Sequence, residues 1–398
     1  MKIKNVRIEK TDDHISLLAD CKIRTIGWDT VYFTFGKQYA DYLYEDASPF
    51  AAALLIPSMR LGQNLIIDGS VSERLMEGMK FIMEKMVAWP FGLKPITIQA
   101  KHVTKDNAQP EKVASFFSGG VDSFYTYLKH RSDKKDKISH FILVRGADID
   151  PRNKKLWDET KENVQKVADE DGIEMVAAES NVQTLIEPII AMDYTHGGCL
   201  AAIGLCLRKG FKKIYIASTF GYAELMPYGS HPELDGHWSS EAIMFEHDGA
   251  EADRFEKIER QIAKSPIALK HLRVCYMNKN GAYNCGNCEK CYRTMVSLYI
   301  VGKLNESETF PNSINPDHLT FLISQVGFAL KGHEQNLAAL KSRNLDPRLQ
   351  QAIEKGLAHG TNPANSIKER ALQKIIYLDH MYFRERAHKI WAKLVRPY

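Results

Sequence analysis

Four short apolar runs alternate with helical segments between residues 112 and 219, and nothing else in the chain constrains its fold as strongly. KVASFF (112–117), HFILVRG (140–146), EMVAAES (174–180) and KIYIAST (213–219) are the runs. Between them VDSFYTYLKH (121–130), a stretch near 154–170 and GCLAAIGLCLRKG (198–210) read as helices. Strands without a polar face need cover on both sides, which a parallel sheet between two helical layers provides. The expectation is therefore α/β: a doubly wound, Rossmann-like parallel sheet. Such sheets bind ligands beyond the carboxyl ends of their strands, at a topological switch point.

The flanks have a different texture. Residues 1–110 are expected to form a β-rich N-terminal domain, with strands at VYFTFGKQY (31–39) and NLIIDGSV (64–71). A helix at 72–89 has Ser72 as its N-cap. KHVTKDNAQPEK (101–112) holds turn formers without an apolar period, so the linker is placed there. Residues 111–310 then carry the central sheet, and 311–398 read as helices punctuated by Asp346-Pro347 and Asn362-Pro363. The last 33 residues, 366–398, hold eight Lys/Arg against three Asp/Glu. A solvated helical face is the plain reading of that excess, and a nucleic-acid arm is the other.

With 398 residues, two or three domains are expected. A formal charge of +4 suits a protein that handles small anions and does not by itself argue for nucleic acid. No apolar stretch nears the ~18 residues of a membrane span, and the first residues lack an apolar signal core. A cytoplasmic homodimer is the expectation.

The strand KVASFF ends in Ser118-Gly119-Gly120-Val121-Asp122-Ser123 and passes straight into a helix. Two glycines let the backbone turn tightly and approach a ligand without a Cβ in the way. The first amides of the following helix have no internal partners, and the helix dipole adds to their pull on an anion. Ser118 and Ser123 can add hydroxyl donors, and Asp122 can hold Mg²⁺ or a helix amide. The GxxxxGK[ST] pattern of kinase-type loops is missing.

Seven cysteines are present, and four of them cluster: Cys275, nine residues, Cys285, two residues, Cys288, two residues, Cys291. In a reducing compartment this pattern reads as a metal site before it reads as disulfides. Structural zinc takes four such ligands in a tetrahedron. A [4Fe–4S] cluster is the competing occupant.

SGGVDS resembles the signature of the PP-loop ATP pyrophosphatases, which cleave ATP between the α and β phosphates. That resemblance implies the adenine nucleotide alpha-hydrolase (HUP-like) version of the sheet, with ATP and Mg²⁺ as cofactors. It implies phosphate contacts at Ser118, Gly119, Gly120, Val121, Asp122 and Ser123, with Ser118, Asp122 and Ser123 taking part in catalysis. By the same resemblance Leu143-Val144-Arg145-Gly146 packs on the adenine, Val144 and Arg145 being the contacts. Thr195-His196-Gly197-Gly198-Cys199 opens a later helix by the phosphates, with Gly197 as the contact. Together with the cysteine spacing, the loop resembles the 7-cyano-7-deazaguanine synthase family over residues 113–300. This implies an ATP-dependent carbon–nitrogen ligase that adenylates a carboxylate and hands the acyl group to ammonia or another amine. The unmatched flanks suggest a specialised relative whose amine sits on a protein or peptide.

Three points stay open at this level. Cys199 reads as a small buried thiol or as a sulfurtransferase cysteine, and His196 as a capping residue or a substrate contact. The segment 226–258 offers His231, Glu233, Asp235, Trp238, Ser239, His247 and Asp248 as a loop over the sheet's carboxyl edge, where Trp238 could stack on a planar ring. Arg254 and Lys257 read as a solvated face or as cations that neutralise a carboxylate or pyrophosphate, the solvated face being the expectation. The alternative functions are a tRNA-modifying enzyme, sulfurtransferase or lysidine-synthase-like, and a nucleotide-binding protein without turnover.

Overall fold

A computed structural model describes residues 1–23, 27–147, 149, 151–324 and 330–359. The basic stretch 366–398 and Asn362-Pro363 lie outside them. Ten strands form one sheet: β1 Lys2–Lys10, β2 His14–Lys22, β3 Asp29–Gly36, β4 Leu65–Ser72, β5 Ile98–Thr104, β6 Lys112–Phe116, β7 His140–Arg145, β8 Glu174–Ser180, β9 Phe211–Ala217 and β10 Met244–Asp248. Their spatial order is β10-β9-β6-β7-β8-β3-β2-β1-β4-β5.

The half from β10 to β8 is parallel throughout. Alternate residues of its strands feed two different cores. Ala114, Phe116, Ile142, Val144, Ile214 and Ile216 enter one, while Val113, Phe141, Leu143 and Tyr215 enter the other. Helices Val121–His130 and Lys154–Glu170 cover the second face, Glu289–Ile300 joins the same core behind them, and helix Met192–Cys206 covers the first. Burial on both faces is why these strands are apolar without a break. From β6 the chain steps to β7 and β8 on one side, then returns to β9 and β10 on the other. The carboxyl end of β6 is therefore a switch point.

The front region is continuous with this sheet. β3 pairs antiparallel with β8, Phe33 opposite Ser180 and Phe35 opposite Ala178. The expectation of a separate β-rich domain gives way to strands and two long helices built onto the same sheet. β2 and β3 bury alternate residues only, Ile15, Leu17, Ala19 and Cys21 on one and Val31, Phe33 and Phe35 on the other. Helix Ser48–Leu61 is buried over residues 48–59 and lies against Met192–Cys206, where a Cβ on Gly198 would come 3.0 Å from the Ala52 carbonyl. Two apolar helices with small residues at their contact can approach this closely because no side chain separates their backbones. The supposed linker completes β5 and then ties itself down. Arg208 donates to Asp106 at 2.8 Å and to Asp46 at 2.9 Å, all three side chains being buried.

Helix Glu73–Ala88 begins as expected, with Ser72 Oγ accepting from the Leu75 amide at 3.1 Å. Among the described residues no helix is long and apolar enough to cross a membrane.

Candidate functional site

Beyond β6 the backbone reverses at Gly119, whose φ of +76° lies in the left-handed region that glycine tolerates best. Helix Val121–His130 starts at once, and its first internal bond runs from the Phe124 amide to the Gly120 carbonyl at 2.9 Å. The amides of residues 121–123 precede that bond and have no intrahelical acceptor. Ser123 donates its hydroxyl back to Gly120 at 3.1 Å.

Asp122 heads this helix with both oxygens engaged. Lys257 Nζ reaches Oδ1 at 2.9 Å and Arg254 Nη1 reaches Oδ2 at 3.3 Å. Burial works against the charged carboxylate, but Lys257 and Arg254 outweigh it and hold its pKa below the ordinary value. Lys290 adds a smaller pull in the same direction. The two cations are not on a solvated face. The Lys257 side chain is 1% exposed and also donates to the Ser218 carbonyl. Arg254 is buried, which pushes its pKa down to about 10 against the opposing pull of Asp122. Its Nε and Nη2 have no hydrogen-bond partner among the described residues. Helix Arg254–Arg260, fixed by a capping box at Asp253 and Glu256, brings both cations to one place.

Beside this cluster a cavity of about 250 Å³ opens along the carboxyl ends of β6, β7, β8 and β9. Ser118, Asp122 and Ser123 line one part of it, and Ile142, Leu143, Val144 and Gly146 another. The remaining wall includes Ser180, Gln183, His196, Cys199, Thr219 and Ser230. Phe33 lines it too, so the front region contributes directly to the site. Most of the wall is apolar, which strengthens any charge interaction made inside it.

The other expected residues fall in different places. Gly119, Gly120 and Val121 shape the loop, Val121 within the core. Arg145 does not line the cavity; it is bound to Glu179 at 3.0 Å and to the Pro151 carbonyl. Gly197 does not line the cavity, and a Cβ there would lie 2.2 Å from the Gly229 carbonyl. Its use is to let the loop carrying Ser230 pass close to the helix. Cys199 is a half-buried thiol in the cavity wall, pushed up to about 12 by desolvation. Burial likewise lowers the pKa of His196, whose Nδ1 lies 3.2 Å from the Met192 carbonyl.

In segment 226–258, Trp238 is 1% exposed and packs on Gly198, which removes it as a stacking platform. Asp235 is fully buried and bridges Ser230 Oγ at 2.6 Å and His247 Nδ1 at 2.7 Å. Asp248 is held by Lys129 and His130 instead of facing the cavity. Glu233 pairs with Lys85 at the surface, His231 is buried against Trp89, and Ser239 accepts from the Phe245 amide. Gln183, Ser230, Thr219 and Phe33 are cavity residues that the sequence did not mark.

The four clustered cysteines do meet. Their sulfurs lie within 4.8 Å of one another, with Cys275 and Cys288 3.8 Å apart and Cys285 and Cys291 4.0 Å apart. Four thiolates at ~2.3 Å from one zinc ion stand about 3.8 Å apart at the corners of a tetrahedron. The donor set thus fits a single metal ion such as zinc. Thiols around a [4Fe–4S] cube would stand more than about 6 Å apart. Gly286, at φ +61°, makes the tight turn between the second and third ligands.

This element also braces the loop at Gly119 and Gly120. The Arg273 amide, two residues before Cys275, donates to the Gly119 carbonyl at 2.8 Å. Tyr283 donates to the His271 carbonyl at 2.9 Å, and a Cβ on Gly119 would lie 3.6 Å from both groups. Asn284 accepts from the Val274 and Cys275 amides. No family model, no curated protein and no solved structure matches this chain.

Proposed function

We propose that this chain is an ATP-dependent ligase that adenylates a carboxylate and passes the acyl group to an amine nitrogen. The observation that carries the reading is Asp122 at the head of a glycine-turned helix, lining an apolar cavity while the buried Arg254 and Lys257 hold its carboxylate from behind. In the first step a carboxylate oxygen attacks the α-phosphorus, and the bond to the β-phosphate oxygen breaks, releasing pyrophosphate. In the second the amine attacks the acyl carbon, AMP leaves, and the nitrogen gives up a proton.

The free amides of residues 121–123 and the Ser118 hydroxyl suit the charge that grows on departing pyrophosphate, with Arg254 and Lys257 adding positive charge from behind Asp122. Mg²⁺ would neutralise the same oxygens. Asp122 would hold such an ion in place of one of its present cations. The apolar wall, Phe33 and Val144 included, keeps water from an acyl-adenylate. Zinc at the four cysteines would be closed and structural, with no position left for water. The sulfurtransferase alternative needs a thiolate, and the protonated Cys199 thiol speaks against it.

The test is incubation with ATP, Mg²⁺ and a panel of heteroaromatic carboxylates, 7-carboxy-7-deazaguanine among them, with ammonia or amine-bearing peptides. AMP and pyrophosphate are expected in equal amounts, and Asp122→Asn should lower the rate on the order of 10²-fold. If no carboxylate yields AMP, the reading is wrong.

A further inference from the structure

Gln183 is an anomaly in the cavity wall. It follows the carboxyl end of β8 in the short helix Val182–Ile186, and it is 8% exposed. β8 lies two strands from β6, and parallel neighbours are spaced ~4.8 Å apart, which puts Gln183 about 10 Å across the sheet from the loop at Ser118. It therefore addresses the end of a ligand that points away from the phosphates.

Its amide oxygen faces Cys199. That thiol lies 3.8 Å from Gln183 Oε1. Burial pushes its pKa up to about 12, so at neutral pH it keeps its proton and donates. With Oε1 turned to the sulfur, the amide nitrogen points away from it. Nε2 then has no hydrogen-bond partner among the described residues. Leaving a buried amide hydrogen unbonded destabilises the empty protein, and a ligand that accepts it removes the penalty. His196 lines the same cavity. Its Nδ1 faces the Met192 carbonyl and therefore holds the proton, which leaves Nε2 as an acceptor. A donor and an acceptor in one apolar cavity match a ring edge that carries both an acceptor atom and an N–H.

We propose that Gln183 is the specificity-determining residue of this cavity, donating from Nε2 to a ring nitrogen or carbonyl oxygen of a planar heteroaromatic ligand. The inference rests on the nucleotide-dependent reading above. Two ligands of that reaction carry such an edge, the adenine of ATP and the ring of the acid.

Gln183→Met keeps the length and shape of the side chain and removes the donor. Two measurements on the full chain test it: the melting temperature without ligand, and calorimetric titration with ATP and Mg²⁺ and, separately, with 7-carboxy-7-deazaguanine. The variant is expected to melt no lower than the wild type and to lose at least ten-fold in affinity for one of the two ligands. Whichever ligand weakens identifies the source of the acceptor. Equal affinity of wild type and variant for both ligands overturns the assignment. So does a variant that melts lower and loses both ligands alike, which is the signature of a packing role. A wild type that binds neither ligand overturns it as well. If the wild type binds a ligand and Gln183→Met weakens it, yet no AMP forms with any acid, the ligase reading fails while the assignment of Gln183 stands.

Discussion

A carboxylate buried beside two cations matters most where pH can remove its charge, and Asp248 is the clearest instance. Lys129 Nζ lies 2.9 Å and His130 Nε2 3.0 Å from its Oδ1, and its side chain is 5% exposed. Burial alone would raise its pKa, but His130 and Lys129 prevail and bring it from 3.8 down to about 2. A depressed folded-state pKa means stability that is present above about pH 4 and lost as pH falls towards 2. The linkage amounts to roughly 2 kcal/mol at neutral pH. Urea unfolding should therefore show Asp248→Asn weaker than wild type at pH 7, with the gap closing between pH 4 and 2. A gap that does not change with pH would refute this. At the same scale, the loop residues were legible because glycine, serine and aspartate have few other reasons to stand together. Arg254 and Lys257 were misjudged because a basic helical stretch looks the same whether it faces solvent or a buried carboxylate.

Among elements, helix Met192–Cys206 does the most positioning, since it presents His196 and Cys199 to the cavity and packs through its glycines on its neighbours. Gly197→Ala should gain ~1 kcal/mol in helix propensity. The gain is overwhelmed because the new Cβ would fall 2.2 Å from a backbone carbonyl that has no room to yield. A net loss of about 1–3 kcal/mol is expected, as for other overpacked sites. The loop holding Ser230 must shift, so AMP formation should fall with it. A variant with wild-type melting and full activity would disprove the close approach. The sequence announced this helix six residues late, at 198 instead of 192, because Met192–Gly197 has little apolar period of its own. The strands from 112 to 219 were readable from their unbroken apolar runs. β1, β2, β5 and β10 were not, since strands this rich in polar residues gain their identity from the partners they pair with. Gln183 gave no signal, as an amide in a polar stretch becomes unusual only once its surroundings are apolar.

For the molecule as a whole, the cysteine element and the loop behave as one body, joined through the Arg273 amide and the Gly119 carbonyl. Elemental analysis is expected to find one zinc per chain and little or none in Cys288→Ser. Chelation should lower the melting temperature by about 2–4 °C for each kcal/mol of metal binding removed. It should also slow AMP formation, because the brace behind Gly119 loosens. Iron in place of zinc, or a chelator without effect on either readout, would contradict this. The cluster was legible from spacing alone, whereas its attachment to the loop depends on contacts between residues more than 150 positions apart.

The joint between β3 and β8 has a further consequence, for the newborn chain on the ribosome. Residues 29–36 emerge early and must wait for residues 174–180 before their outer edge is paired. Helix Ser48–Leu61, apolar on every side, waits longer still, until residues 192–206 supply its cover. Such delayed, non-local pairing slows folding and leaves an unpaired edge exposed in the meantime. Nascent chains halted near residue 150 should therefore engage holding chaperones heavily, and those halted beyond residue 260 should release them.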